Sequence, residues 1–362
     1  MPTGPDKIII KRLIWIAILA VVWFLLMLWA DFPLKVERYY SEGIYPAICH
    51  IFHPVFNLFP FSVGDLIYIA VIICIIFAAV KFFRLLFSGD WKRWLAFSFG
   101  MVIRIEVAVL LFYSLWGMNY FRPSMGERMH LTDTAYTTEL LTDVTRQLID
   151  SANISRDRLT VADMRQVNDS IYQTAIRAIK KISADSPTFR TYHPRIKPSL
   201  LTPVLNYLAT SGYYNPFTAE SQLNYEVPYF ERPFIACHEM SHQMGFGAED
   251  EANFSGFLAG IGSKDRLMRY SCYQLGMDEC LHALRFRDTA AFSSVRKLIS
   301  PTVKADFRQE RLYWLRFRGK VGHISGLFYD DFLKANNQPH GLETYNQMVL
   351  LLVTWHRGTG RL

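Results

Sequence analysis

The sequence predicts a mainly helical membrane protein: three N-terminal transmembrane helices within residues 1–117, then an α+β domain outside the membrane over residues 118–362. Three observations predict it. Hydrophobic residues make up 51% of the chain and mean hydropathy is +0.10 despite 20% charged residues, and the apolar excess sits in the first third. Basic residues cluster before the first apolar run and between the second and third, as orientation by cytoplasmic positive charge requires. The remainder alternates helical apolar spacing with one Pro-, Tyr- and Gly-rich stretch suited to short strands.

Leu13 to Ala30 is an unbroken apolar run containing three Trp, close to the roughly 20 residues that cross a bilayer. It is longer than the apolar core of a cleavable signal, and Asp31-Phe32-Pro33-Leu34 follows in place of a small-residue cleavage site, so the run reads as an uncleaved span. Leu66 to Val80 is the second span and Trp94 to Trp116 the third. The third holds Arg104 and Glu106, which reads as an ion pair facing the bundle interior. Lys7, Lys11 and Arg12 precede the first span, and Lys81, Arg84, Lys92 and Arg93 lie between the second and third. These place the N-terminus and the second loop in the cytoplasm and everything after Asn119 on the far side. The expected location is therefore a cytoplasmic (inner) membrane, crossed several times, with the C-terminal domain extracytoplasmic. The net charge of +7 partly reflects these anchors, which favour anionic lipid. No nucleic-acid motif is present, and the basic residues of the second half are interspersed with acids, so no nucleic-acid partner is expected.

In the second half, Thr137–Ala152 and Val161–Ile182 have helical spacing. Thr191–Pro233 suggests short strands and turns. Met268–Leu284, Ala290–Ile299 and Lys304–Leu315 read as helices, and Tyr345–Trp355 as a last apolar helix too short to span, either core or lying on the membrane surface. Five Cys are too few for a disulfide scaffold. Cys237 reads as packing, and whether Cys272 and Cys280 pair is left open.

The chemistry concentrates in His238-Glu239-Met240-Ser241-His242, an H-E-x-x-H pattern. Residues four apart share a helix face, so two imidazoles can grip one zinc ion while Glu239, one step round, reaches a water at the metal. Pro233 suits a helix start, and Gly245 and Gly247 a sharp exit turn. Zinc catalysis needs a third protein ligand, and Glu249, Asp250 and Glu251 follow at once. The bland reading, in which His238 and His242 merely pack, stands beside this one because the motif is short and the chain has ten His.

Glu249-Asp250-Glu251-Ala252-Asn253-Phe254 resembles the acidic helix start of gluzincin-type metallopeptidases, including the membrane-bound prenyl-protein proteases. The resemblance implies Glu249 as the zinc ligand and Asn253 as the residue that orients a ligand from behind. The short gap from His242 departs from those families and is closer to a metzincin layout, which keeps Glu251 as runner-up. The chain as a whole resembles a bacterial membrane-protein family known as domain of unknown function 3810, through its three apolar segments, Gly117–Arg122, Tyr214–Glu220 and Cys237–Phe254. That resemblance implies a zinc metallopeptidase with a zincin-like domain, and brings no substrate.

On this reading Glu239 is the general base of peptide hydrolysis. Tyr213, Tyr214, His323, Tyr329 and His340 are the candidates to stabilise the oxyanion. Gly212–Asn224 is the candidate edge strand that holds an extended substrate, with Glu220 either aimed at the cleft or capping a turn. The expected partners are the lipid bilayer and a peptide or protein substrate near it. A site-2-type intramembrane protease is disfavoured, because Glu231, Arg232, Glu249 and Asp250 flank the motif. A non-catalytic anchored scaffold with a structural or vestigial zinc site is the remaining rival.

Overall fold

The computed structural model describes residues 4–131, 133, 135–339, 341 and 345–362. The protein is mainly helical, at 76%, with one three-stranded sheet. The chain divides into two compact units. The first comprises Met1–Ile48, Val63–Arg122 and Pro216–Thr218, and the second Cys49–Ser62, Pro123–Asn215 and Ala219–Leu362.

The first unit holds three helices long and apolar enough to cross a membrane: Asp6–Ala30, Val63–Phe87 and Trp91–Leu115. Almost none of their most apolar stretch is buried within the protein, which suits surroundings as apolar as the side chains themselves. Asp6 and Lys92 form an ion pair at 2.8 Å, and the Arg12 guanidinium donates to the Ala96 carbonyl. The first and third helices therefore start side by side. Arg122 and Glu37 form a bidentate pair at 2.6 Å in the same unit. The expected Arg104–Glu106 pair is not formed. Residues two apart point to nearly opposite sides of a helix, and the Arg104 guanidinium donates instead to the Met101 sulfur at 3.1 Å.

The second unit is built on amphipathic helices. Thr138–Asp157 is capped by Thr137 and Arg266–Arg287 by Asp265. Pro301–Phe317 is capped by Ser300, with Pro301 in its first turn; these side-chain oxygens satisfy amides that the first turn leaves unpaired. The stretch expected as one helix from Val161 to Ile182 is two, Val161–Met164 and Asn168–Asp185. Thr160 and Asp163 close a capping box around the first turn, and extended Val167 restarts the chain. Tyr345–Thr359 is core, with Met348 and Leu352 fully buried. Cys272 and Cys280 are both free and buried. Eight residues apart on one helix, they are about 12 Å apart along the axis, beyond disulfide reach.

Thr191–Pro233 supplies the strands β1 (Ile196–Pro198), β2 (Gly212–Asn215) and β3 (Glu220–Leu223). Their order is β1-β3-β2, with β3 parallel to β1 and antiparallel to β2. The expected single strand Gly212–Asn224 is thus two strands, of which β3 is central and β2, like β1, lies at an edge of the sheet. Glu220 is buried in an ion pair within the sheet. Its carboxylate accepts from Lys197 Nζ at 2.5 Å, and both side chains are 2% exposed. Lys197 also donates to the carbonyls of Phe56 at 2.8 Å and Phe61 at 3.0 Å. All three ammonium hydrogens are used, and they clamp the segment Cys49–Ser62 to the sheet of the same unit. Lys197→Met is expected to destabilise the protein by about 3–5 kcal/mol, because it leaves a buried carboxylate without its cation. Adding Glu220→Leu should recover most of the loss. Denaturant unfolding of the single and double variants checks both statements.

Candidate metal centre

The H-E-x-x-H residues lie on the helix Arg232–Gln243, with Pro233 in its first turn. Gly245 has a φ of +83°, a left-handed turn that favours glycine, whereas Gly247 is not in that region. The turn brings the Phe246 carbonyl back to His242, where it accepts from Nδ1 at 2.7 Å. That bond fixes the tautomer and leaves His242 Nε2 as a lone-pair donor. His242 Nε2 lies 3.2 Å from His238 Nε2.

The next helix, Glu249–Ile261, begins on the acidic cluster. Glu249 Oε2 is 3.3 Å from His238 Nε2 and Oε1 is 3.7 Å from His242 Nε2. The carboxylate is also held by the Tyr329 hydroxyl, which donates to Oε1 at 2.6 Å. Glu251 is directed elsewhere. It accepts from Arg128 at 3.0 Å and from the Met125 amide. Asp250 is buried with Oδ1 unpartnered. Close approach of the two helices depends on Gly256, where a Cβ would sit 3.0 Å from the His238 nitrogen and 3.2 Å from its Cα.

Ligand atoms about 2.0–2.1 Å from a tetrahedral ion are about 3.3 Å from one another. The His238–His242 edge of 3.2 Å fits that requirement, and the Glu249 carboxylate meets the two imidazoles through different oxygens, Oε2 at 3.3 Å from His238 and Oε1 at 3.7 Å from His242. The donor set, two imidazoles and one carboxylate, also suits zinc with a position left open. The Asn253 side chain lies near enough to His238 to favour its charged form, while His238 Nδ1 and Asn253 Nδ2 each lack a hydrogen-bond partner.

The electrostatics fit a cation at this point. Burial pulls the His238 imidazole down, but the Glu249 hydrogen bond and the charges of Glu239 and Glu249 outweigh it and hold it at about 9. Burial, with the neighbouring His238 charge, takes His242 down to about 4. Burial works to raise Glu249, yet the two imidazoles and the Tyr329 hydroxyl bring it down to about 2. Burial raises Glu239 to about 8, with Glu249 adding to the effect.

Glu239 has oxygen within 4.8 Å of both imidazoles. It is placed by the sheet: the Ser221 hydroxyl donates to its backbone carbonyl at 2.7 Å, and β2 runs along its side chain. A Cβ on Gly212 would lie 2.6 Å from Glu239 Oε1. Tyr214 shares that face of β2, its ring 6.4 Å from the His242 ring. Among the other oxyanion candidates, Tyr329 reaches the cluster through Glu249 and His323 is exposed. Tyr213 lies on the alternate face of β2, and His340 lies outside the described residues. Tyr329 comes from the helix Lys320–Ala335, which the sequence reading did not find because Gly319, Gly322 and Gly326 interrupt its apolar period.

The class of molecule is then a mainly helical protein with three candidate membrane spans and, in its other unit, a buried histidine–carboxylate cluster. The chain belongs to the family described as protein of unknown function (DUF3810), whose model matches residues 40–353. No curated protein and no solved structure matches it.

Proposed function

We propose that the protein is a membrane-anchored, zinc-dependent peptidase. The observation that carries this reading is the convergence of His238 Nε2, His242 Nε2 and the Glu249 carboxylate within 3.2–3.7 Å of one another, with Glu239 beside them. His238, His242 and Glu249 would hold the ion, and Asn253 would support His238 from behind. A bound zinc ion supplies Lewis acidity and acidifies a water molecule. Glu239 takes a proton from the attacking water as the water oxygen bonds to the peptide carbonyl carbon. Glu239 then delivers the proton to the amide nitrogen as the C–N bond breaks. Edge strand β2 offers backbone groups for an extended peptide.

The location follows from the same reading. The loop segment Cys49–Ser62 folds into one unit with Pro123–Asn215 and Ala219–Leu362, which supports one side of the membrane for the first loop and the catalytic domain. The paired starts of the first and third helices support the opposite side for the N-terminus and the second loop. With the basic residues at those ends, the domain is extracytoplasmic.

Metal analysis of the purified full-length protein tests the site. About one zinc per chain is expected, as one such site holds a single ion, and its loss in a folded His238→Ala variant. A folded wild type that takes up no zinc overturns the reading and leaves a membrane-anchored interaction protein.

A further inference from the structure

A cavity of about 300 Å³ adjoins the cluster, with His238 and Asn253 in its wall. Its other walls are helix faces read at helical spacing. Glu231, Phe234, Ile235 and His238 come from the helix of the two histidines, where positions i, i+3, i+4 and i+7 share a face. Ser271, Gln274, Leu275 and Asp278 repeat the same spacing on Arg266–Arg287, and Phe307, Glu310 and Trp314 line it from Pro301–Phe317.

Three carboxylates therefore face one partly enclosed space. None of the three has an ion pair among the described residues. Arg232, next to Glu231, spends its guanidinium on the Val227 carbonyl at 2.8 Å and on Asn168 at 3.0 Å. Glu231 Oε1 is buried without a hydrogen-bond partner. The Gln274 side chain, 4% exposed in the cavity wall, makes no hydrogen bond among the described residues, which leaves its carbonyl oxygen free to accept. Carboxylates without ion pairs and an unused amide carbonyl beside the histidine cluster are the complement of a polar cation. Trp314 and Phe307 add aromatic surface of the kind that attracts one.

We propose that this cavity is the subsite for the cationic group of a peptide substrate, a Lys or Arg side chain or a free amino terminus. The proposal rests on the peptidase reading. Glu231 precedes His238 by two helical turns, about 10 Å along the axis. A long basic side chain beside the scissile bond, or the amino terminus of a short overhang, bridges that span. Burial and the neighbouring carboxylate charge raise Glu231 and Glu310 well above the ordinary carboxylate range, with Arg232 offsetting part of this at Glu231, and burial raises Asp278 against the opposing charge of His282. An entering cation thus takes the place of protons.

The test uses zinc-loaded full-length protein in detergent micelles. Internally quenched peptides carry Arg, Lys, citrulline or norleucine at each position around one bond, with a free or an acetylated amino terminus. A kcat/KM about tenfold or more higher for the cationic member of a pair is expected, and its loss in Asp278→Asn/Glu310→Gln. Dependence on the free amine in place of the side chain assigns the cavity to the amino terminus and sustains the proposal. Cleavage indifferent to both cations overturns the proposal and leaves the peptidase reading intact. Should no peptide be cleaved, the peptidase reading fails, and argininamide binding decides the cavity. A rise in Tm with argininamide but not norleucinamide sustains the cation site, and equal shifts overturn it. The wild-type preference decides alone if the double variant does not fold.

Discussion

Glu239→Gln is expected to retain zinc and lose kcat by about 10²–10⁴-fold, the usual contribution of a positioned general acid–base group. The carboxamide is nearly isosteric, so the packing of the side chain against β2 and the Ser221–carbonyl bond survive. What disappears is a group that can accept a proton and return it. Burial raises Glu239 above the ordinary carboxylate range, the direction that favours a group returning its proton to a leaving amine. The measurement is paired: metal content and single-turnover cleavage on the same preparations. Loss of both zinc and turnover assigns Glu239 to the ligand set. Full activity in the variant removes Glu239 from the mechanism altogether.

The parts of the site that the sequence made legible are those whose geometry is local. His238 and His242 are one turn apart, and Glu249 begins the next helix after a single glycine turn, so helical spacing alone aligns them. The choice between Glu249 and Glu251 was not local. It depends on Arg128 and the Met125 amide, which take Glu251 away from the cluster. Tyr329 lies 80 positions from Glu249, on a helix whose glycines obscure its period. The carboxylates of the cavity, Glu231, Asp278 and Glu310, come from three helices, and each reads singly as a solvated face. The spans were legible because a lipid solvent demands apolar residues all round a helix. The helix Tyr45–Asn57 between the first two spans was not, although it is apolar on one side: Pro54 within it reads in sequence as a stop.

The second large effect is expected at a residue with no side chain. Gly212→Ala should lower kcat about 10²-fold, the scale of a catalytic group misplaced by about 1 Å, while zinc content stays at the wild-type level. The added methyl would meet Glu239 Oε1 at 2.6 Å, the Gln222 carbonyl at 2.8 Å and Glu239 Cγ at 2.9 Å. The Gln222 oxygen belongs to the backbone of the central strand β3, opposite β2 in register, and has little freedom to withdraw. The Glu239 side chain is the softer neighbour, so it moves. His238, His242 and Glu249 are untouched by that methyl, which is why metal binding and catalysis separate. Gly212 lies outside the positive-φ region, so alanine brings no conformational penalty of its own; the contact with the Gln222 carbonyl strains the sheet as well, and the Tm of the variant, measured beside its rate, separates a loss of fold from a displaced Glu239. Non-additivity gives the decisive check. If the methyl acts through Glu239, then Gly212→Ala/Glu239→Gln turns over no more slowly than Glu239→Gln alone. A further drop in the double variant would show that Gly212 acts on something else, such as the peptide lying along β2.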